Sequence, residues 1–281
     1  MSEATGWQCP TCDARVTTPF CATCGEEPPA PRDLTLRGLT AKLIHLATSI
    51  DARTIRTARC LLRHPGALTI AWLRGVRKPY VAPFQLFLIA NVIFFALQWL
   101  TGETVLSSSL DSHLHHQDWS ALAGSLVSRK LQSTHTTLDL YAPVFDRAVV
   151  VNAKSLIILM TLPFALLLPL VFWRRQRPVM AHVVFALHLY TFLLLFFCLA
   201  LIAAKLSALL GFGGLESAPV DNVLSVVNVV ACALYLFAAM GPVYGAAGAL
   251  RWAQTIVLVV AVGALVLGYR FVVFLITLYT T

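Results

Sequence analysis

Five long apolar runs restrict the fold of this chain more than any other feature. They cover about residues 83–101, 155–173, 181–204, 222–244 and 253–277. Each is near the ~20 residues a helix needs to cross the hydrocarbon core of a bilayer. Inside that core a single apolar run must satisfy its own backbone N–H and C=O groups, which only a helix does. The composition agrees: 58% of residues are hydrophobic and 12% charged, about half the charge fraction of a soluble domain. A large soluble core is excluded as the main destination of this surface. The expected fold class is an all-α polytopic membrane protein with about five transmembrane helices. Met1 to Gln8 lack a basic start followed by an apolar stretch, so no cleavable signal peptide is expected. The first span then serves as the insertion signal.

Charge orients the spans. The formal net charge is +8, and eleven Lys/Arg precede the first span. Arg174, Arg175 and Arg177 fall between spans two and three, and Arg251 between spans four and five. By the positive-inside rule these segments are cytoplasmic. The loop from Lys205 to Asp221, with Glu216, is then extracytoplasmic, and so is the C-terminus. The long loop 102–154 falls on the same outer side. Trp119, Leu122, Leu126 and Leu131 mark an amphipathic helix within it.

Residues 33–82 read as a basic collar. Between Asp33 and Pro83 there are nine Lys/Arg and two Asp, a balance suited to anionic lipid. Leu34 to Ile50 is amphipathic at helical spacing but too polar to span. After a cap at Ser49 or Asp51, Arg53, Arg56, Arg59 and Arg63 fall within about 120° of arc. Ile55, Ala58, Leu61 and Leu62 occupy the other side. This is the pattern of an interfacial helix with arginines at phosphate level; packing on the protein's own spans would use the same apolar face. His64-Pro65-Gly66 ends it. A short helix, Ala67 to Leu73, leads to Arg77 and Lys78. Nucleic acid is not an expected partner, because the basic residues are not interleaved with stacking aromatics.

At the front stand two knuckles, Cys9-Pro-Thr-Cys12 and Cys21-Ala-Thr-Cys24-Gly25. Two thiolate pairs at this spacing can close a tetrahedron around one Zn²⁺. A cytoplasmic, reducing location favours metal over disulfide; an oxidised pair or a redox CxxC is the alternative. With all four ligands from the head, the site is closed and structural. A head this small has almost no core, so metal supplies most of its folding free energy. Residues 26–31 are a stiff, Pro-rich linker. Cys60, Cys198 and Cys232 are expected to be packing residues.

Polar residues inside spans are either glue or function. Asn91 and Gln98 share a face of span one, with Asn228 as a plausible partner. Arg270 in span five is expected to snorkel outward or pair with Asp221 or Glu216. His182 and His188 differ by about 120° in direction on span three, a poor spacing for two ligands. His182 is expected near the wet interface and His188 against a neighbouring helix. In the outer loop, His113, His115 and His116 with Asp111 and Asp118 form either a metal site or a solvated loop. Pro163, Pro169 and Pro242 mark kinks. Gly241 with Gly245, and Ala264 with Gly268, offer small faces for close packing. No nucleotide-binding glycine loop, HExxH or GxSxG is present, and no Asp or Glu lies well inside a predicted span.

The assembled pieces resemble the bacterial membrane-protein family known as domain of unknown function 3667. The resemblance is carried by Cys9, Cys12, Cys21, Cys24 and Gly25, then Arg32, Leu34, Thr35, Asp51, Thr57 and Leu62. Pro65, Gly66, Gly75, Arg77, Lys78, Tyr80, Pro83 and Phe84 complete its specific, N-terminal part. His182 to His188 and Tyr244-Gly245 look like the family's later spans. Asp13 follows the first knuckle where such knuckles usually carry glycine; Asp tolerates the left-handed conformation needed there. The resemblance implies a zinc-ribbon head on a bacterial inner-membrane body and assigns no activity. The functional expectation is a docking, scaffold or regulatory membrane protein with a protein partner or a second copy of itself. The alternatives are a small transporter or lipid handler, with a polar path through Arg270, His188, Asn91 and Asn228, or a membrane enzyme using the span-three histidines.

Overall fold

The computed structural model describes residues 6–9, 13–18, 20–23, 52–76, 79–102, 107–175 and 177–281. The chain divides into two units, Met1–Ala52 and Arg53–Thr281.

In the first unit a short hairpin forms. Strand β1 (Trp7–Gln8) pairs antiparallel with β2 (Arg15–Val16), Trp7 opposite Val16 and Gln8 opposite Arg15. Asp13 turns the chain with φ 55°, the left-handed conformation its position requires. Its N–H donates to the Cys9 carbonyl at 2.9 Å, and the Cys9 N–H donates to the Ala14 carbonyl at 3.0 Å. The expected amphipathic segment 34–50 and the linker lie outside the described residues.

The second unit is helical. Its elements are α1 (Ala52–Arg63), α2 (Ala67–Leu73), α3 (Pro83–Thr101), α4 (Leu110–His115), α5 (Ser120–Thr134), α6 (Leu138–Leu156), α7 (Thr161–Val171), α8 (Val179–Leu209), α9 (Ala218–Tyr244) and α10 (Gly248–Thr280). The axis of the bundle is α8. Every residue from Phe185 to Leu194 is buried, because this helix is apolar on all sides and can be covered all round. α3, α7, α9 and the short α2 pack on it, and α10 packs on α9, α6 and α7. α3 starts with proline at its first turn and stops at left-handed Gly102, where proline's missing N–H and glycine's free φ cost nothing.

Among the described residues four helices are long and apolar enough to cross a membrane: α3, α8, α10 and the Pro219–Tyr244 part of α9. A fifth crossing forms only if Leu138–Lys154 and Ile157–Val171 act together, and these are bent by 57°. The apolar run predicts one span at 155–173, kinked at Pro163 and Pro169. α7 alone has 11 residues, roughly 17 Å at 1.5 Å each, too short for the ~30 Å core. The break is the 3-10 segment Ile157–Met160. Pro163 just beyond it has no N–H for the carbonyl of Leu159, which favours a break there. The loop 102–154 is correspondingly more structured than expected. Its amphipathic helix is α5, with Ala123 and Val127 as the buried stripe while Leu122 stays exposed.

Candidate functional site

The head brings Cys9 and Cys21, twelve residues apart, into one buried cluster with Val16, flanked by Trp7 and Ala14. The hairpin turn holds Cys9, and the Trp7 indole N–H donates to the Thr18 carbonyl at 3.0 Å, closing the loop toward the second knuckle. Cys12 and Cys24 lie outside the described residues. Among the described residues no three metal-ligating side chains converge.

The collar helix α1 faces two ways. Inward, Thr57 is fully buried, donates to the Arg53 carbonyl at 2.6 Å and accepts the Val81 N–H at 3.0 Å. Leu61 is buried beside it. Outward, Arg56, Arg59 and Arg63 are exposed together with Ile55 and Leu62. This sharpens two expectations. Arg53 does not extend the free cationic row, because its guanidinium donates to the Tyr80 carbonyl at 2.9 Å. The apolar side of α1 is also split: Leu61 packs on the protein while Ile55 and Leu62 face out. Arg77 and Lys78 lie outside the described residues. Burial pushes the Cys60 thiol above its ordinary range, so it is no ready thiolate nucleophile.

α2 is clamped into the bundle. Gly66 has φ 86°, and a Cβ there would meet the Ala239 carbonyl oxygen at 2.9 Å. Only glycine meets both demands. Three residues on, the Thr69 hydroxyl lies 2.9 Å from His188 Nδ1, both buried. His188 thus bonds a neighbouring helix, as expected, and that helix is the short α2. His182 is buried too, not wet: its Nδ1 lies 3.0 Å from the Tyr244 hydroxyl. Tyr244 in turn stacks on Phe172 at 4.0 Å. The two histidines serve different partners and do not converge.

The other intramembrane polar residues also separate. The Asn228 amide donates to the Leu224 carbonyl of its own helix at 2.8 Å and does not reach Asn91 or Gln98. Gln98 is buried with its Nε2 unpartnered. Arg270 donates from Nε and Nη2 to the Ser108 hydroxyl at 3.2 and 2.6 Å, and the expected Asp221 charge acts on it electrostatically without a direct ion pair. The polar path expected through Arg270, His188, Asn91 and Asn228 is therefore not assembled; each residue is held elsewhere. The small face at Ala264 and Gly268 is exposed rather than packed.

The histidine-rich loop divides. His115 pairs with Asp111 at 2.9 Å on the surface. His113 is buried against Phe274, with ring centroids 4.7 Å apart, and its Nδ1 accepts the Trp119 indole N–H at 3.2 Å. That bond fixes the neutral tautomer with its proton on Nε2. Burial, reinforced by the Arg270 charge, pushes His113 down to about 4.

One constellation escaped the sequence reading. Arg251 lies inside α10, not in a loop, and its guanidinium donates to the Phe237 and Ala238 carbonyls. It also sits 3.9 Å from the centre of the Phe237 ring. Pro242 has no N–H to give the Ala238 carbonyl, and Gly241 leaves the room: a Cβ there would be 3.1 Å from the guanidinium carbon. Gly241 therefore receives an arginine rather than a neighbouring helix. The signal was present as a Gly-Pro kink with an arginine nine residues later.

The contacts of Arg53, Thr57, Gly66 and Thr69 fall in the segment from α1 into α3. Residues 51–95 match the family model described as a protein of unknown function, DUF3667. No curated protein and no solved structure matches the chain. The DUF3667 segment contains Thr57, Gly66, Thr69, Tyr80 and Pro83, the residues that fasten the collar to the bundle. It ends within α3.

Proposed function

We propose that this protein is a docking scaffold of the bacterial inner membrane. Its head holds one structural Zn²⁺ through Cys9, Cys12, Cys21 and Cys24, and its N-terminus lies in the cytoplasm with the C-terminus outside. The bundle is the anchor, and the DUF3667 segment is the collar that joins anchor to head. The observation that carries this reading is the two-sidedness of α1. Its inner face is filled by Thr57 and Leu61 and the exposed Arg53 is engaged by the Tyr80 carbonyl, while Arg56, Arg59, Arg63, Ile55 and Leu62 are left for another surface. Exposed apolar residues beside a cationic row suit an anionic lipid surface. The head fits zinc in its described half: two buried cysteines from different knuckles share one cluster, and the turn after the first is left-handed. Four thiolates would fill the coordination shell, leaving Zn²⁺ a structural role and the head a rigid handle for a protein partner.

Crosslinking in native membranes followed by pull-down tests this. Wild type should retain a defined partner that the Cys21→Ser, Cys24→Ser variant loses while its membrane insertion is unchanged. An identical partner list for the two proteins would overturn the docking role.

A further inference from the structure

A groove of about 410 Å³ runs along the side of α3 at the end opposite the collar. Asn91, Val92, Phe95, Ala96 and Trp99 of α3 line it, and Lys154 of α6 closes it. The Lys154 ammonium lies 5.8 Å from the centre of the Phe95 ring. Phe95 is six residues short of the helix end at Thr101, so the charge sits roughly 9 Å inside that end at 1.5 Å per residue. A cation at that depth in hydrocarbon is costly unless it meets an anion or reaches the interface. Among the described residues Lys154 has no acidic partner; the nearby acid of α6, Asp146, is occupied by the Leu110 N–H at 2.8 Å. The Asn91 side chain is likewise without a hydrogen-bond partner among the described residues. Trp99 stands at the rim, 79% exposed, at the level where aromatic side chains meet headgroups.

We propose that this groove is a binding site for one anionic phospholipid from the leaflet opposite the collar. Its phosphate accepts a hydrogen bond from the Lys154 ammonium on the Trp99 side of the groove, and an acyl chain runs inward along Phe95, Ala96 and Val92. A lipid fits better than a partner helix because the groove opens sideways from its Trp99 rim, and the flexible Lys154 stem lets the ammonium reach toward that rim, where the bilayer itself delivers the anion. The site does not depend on the docking role and uses none of the collar arginines.

Quenching of Trp99 tests it. The full chain goes into phosphatidylcholine vesicles containing a minor fraction of either brominated phosphatidylglycerol or brominated phosphatidylcholine. The Trp99 signal is the difference from a Trp99→Phe variant. Wild type should show about five-fold preferential quenching by the anionic lipid, the value of one juxtamembrane lysine. Lys154→Gln should abolish the preference, Lys154→Arg should keep it, and Arg59→Gln with Arg63→Gln should leave it unchanged. Val92→Trp fills the groove without touching the charge, and should abolish accumulation of the anionic lipid at the site. Equal quenching by both lipids in wild type, or a preference that survives Lys154→Gln, would overturn the assignment. So would Lys154-dependent capture of a second protein chain with no lipid preference.

Discussion

The two ends of the helical unit treat their polar groups differently. At the collar end, most buried polar side chains that the fold brings in are met: Thr57 by Val81, Thr69 by His188, His182 by Tyr244, and the carbonyls near Pro242 by Arg251; Gln254 Oε1 is the exception. From the middle of α3 toward its other end, Asn91 and Lys154 face an open groove, and Gln98 is buried with a free amide nitrogen. The first end is organised to hold a shape. The second leaves hydrogen-bonding capacity for something the chain does not supply. In a membrane this contrast is informative, because an unmet polar group there has no water to fall back on.

Four substitutions or conditions probe that contrast, from the largest expected effect down. Gly66→Ala should destabilise the bundle by about 3 kcal/mol, combining left-handed strain with the clash against the Ala239 carbonyl. Reversible denaturation in detergent would read this, and a loss near zero would mean α2 is not clamped. His113 comes next. Its folded value of about 4 lies below the ordinary value of 6.5. Its contribution is therefore complete above about pH 6.5 and is lost as pH falls toward 4, by up to roughly 3 kcal/mol. The loss should appear as the difference between wild type and His113→Phe over that window; parallel pH profiles would contradict it.

Arg251→Met should cost about 2 kcal/mol by leaving the Phe237 and Ala238 carbonyls without a charged donor. Arg251→Lys should recover part of that. At the open end, Lys154→Gln should change stability by less than about 0.5 kcal/mol, as expected for an exposed side chain with no partner. A large effect there would mean that the two ends are built alike after all.

What could be read from the sequence divides along the same physical line. The apolar runs that became α3, α8, α9 and α10 were legible because hydropathy over ~20 residues is a local property. So was the left-handed Asp13, since the knuckle demands that conformation. The broken crossing was legible only as a kink at Pro163. Residues 155–173 are apolar throughout, and hydropathy does not register the 3-10 break at Ile157–Met160. Helix α6 carries Asp139, Asp146, Arg147 and Lys154, so its pattern read as loop. The partners of Thr57 and Thr69 lie 24 and 119 residues away, and no periodicity announces them. Arg251 failed for a related reason: its role depends on a kink in a different helix. The intramembrane residues were correctly picked out as unusual, yet where each one bonds is a tertiary property.

The central claim is that a metal-folded head is carried by a membrane anchor, and the metal content of the purified full-length protein tests it most directly. Under reducing conditions the account predicts one zinc per chain in wild type and none in the Cys21→Ser, Cys24→Ser variant. A wild-type protein without zinc, or a variant that retains it, would contradict the account.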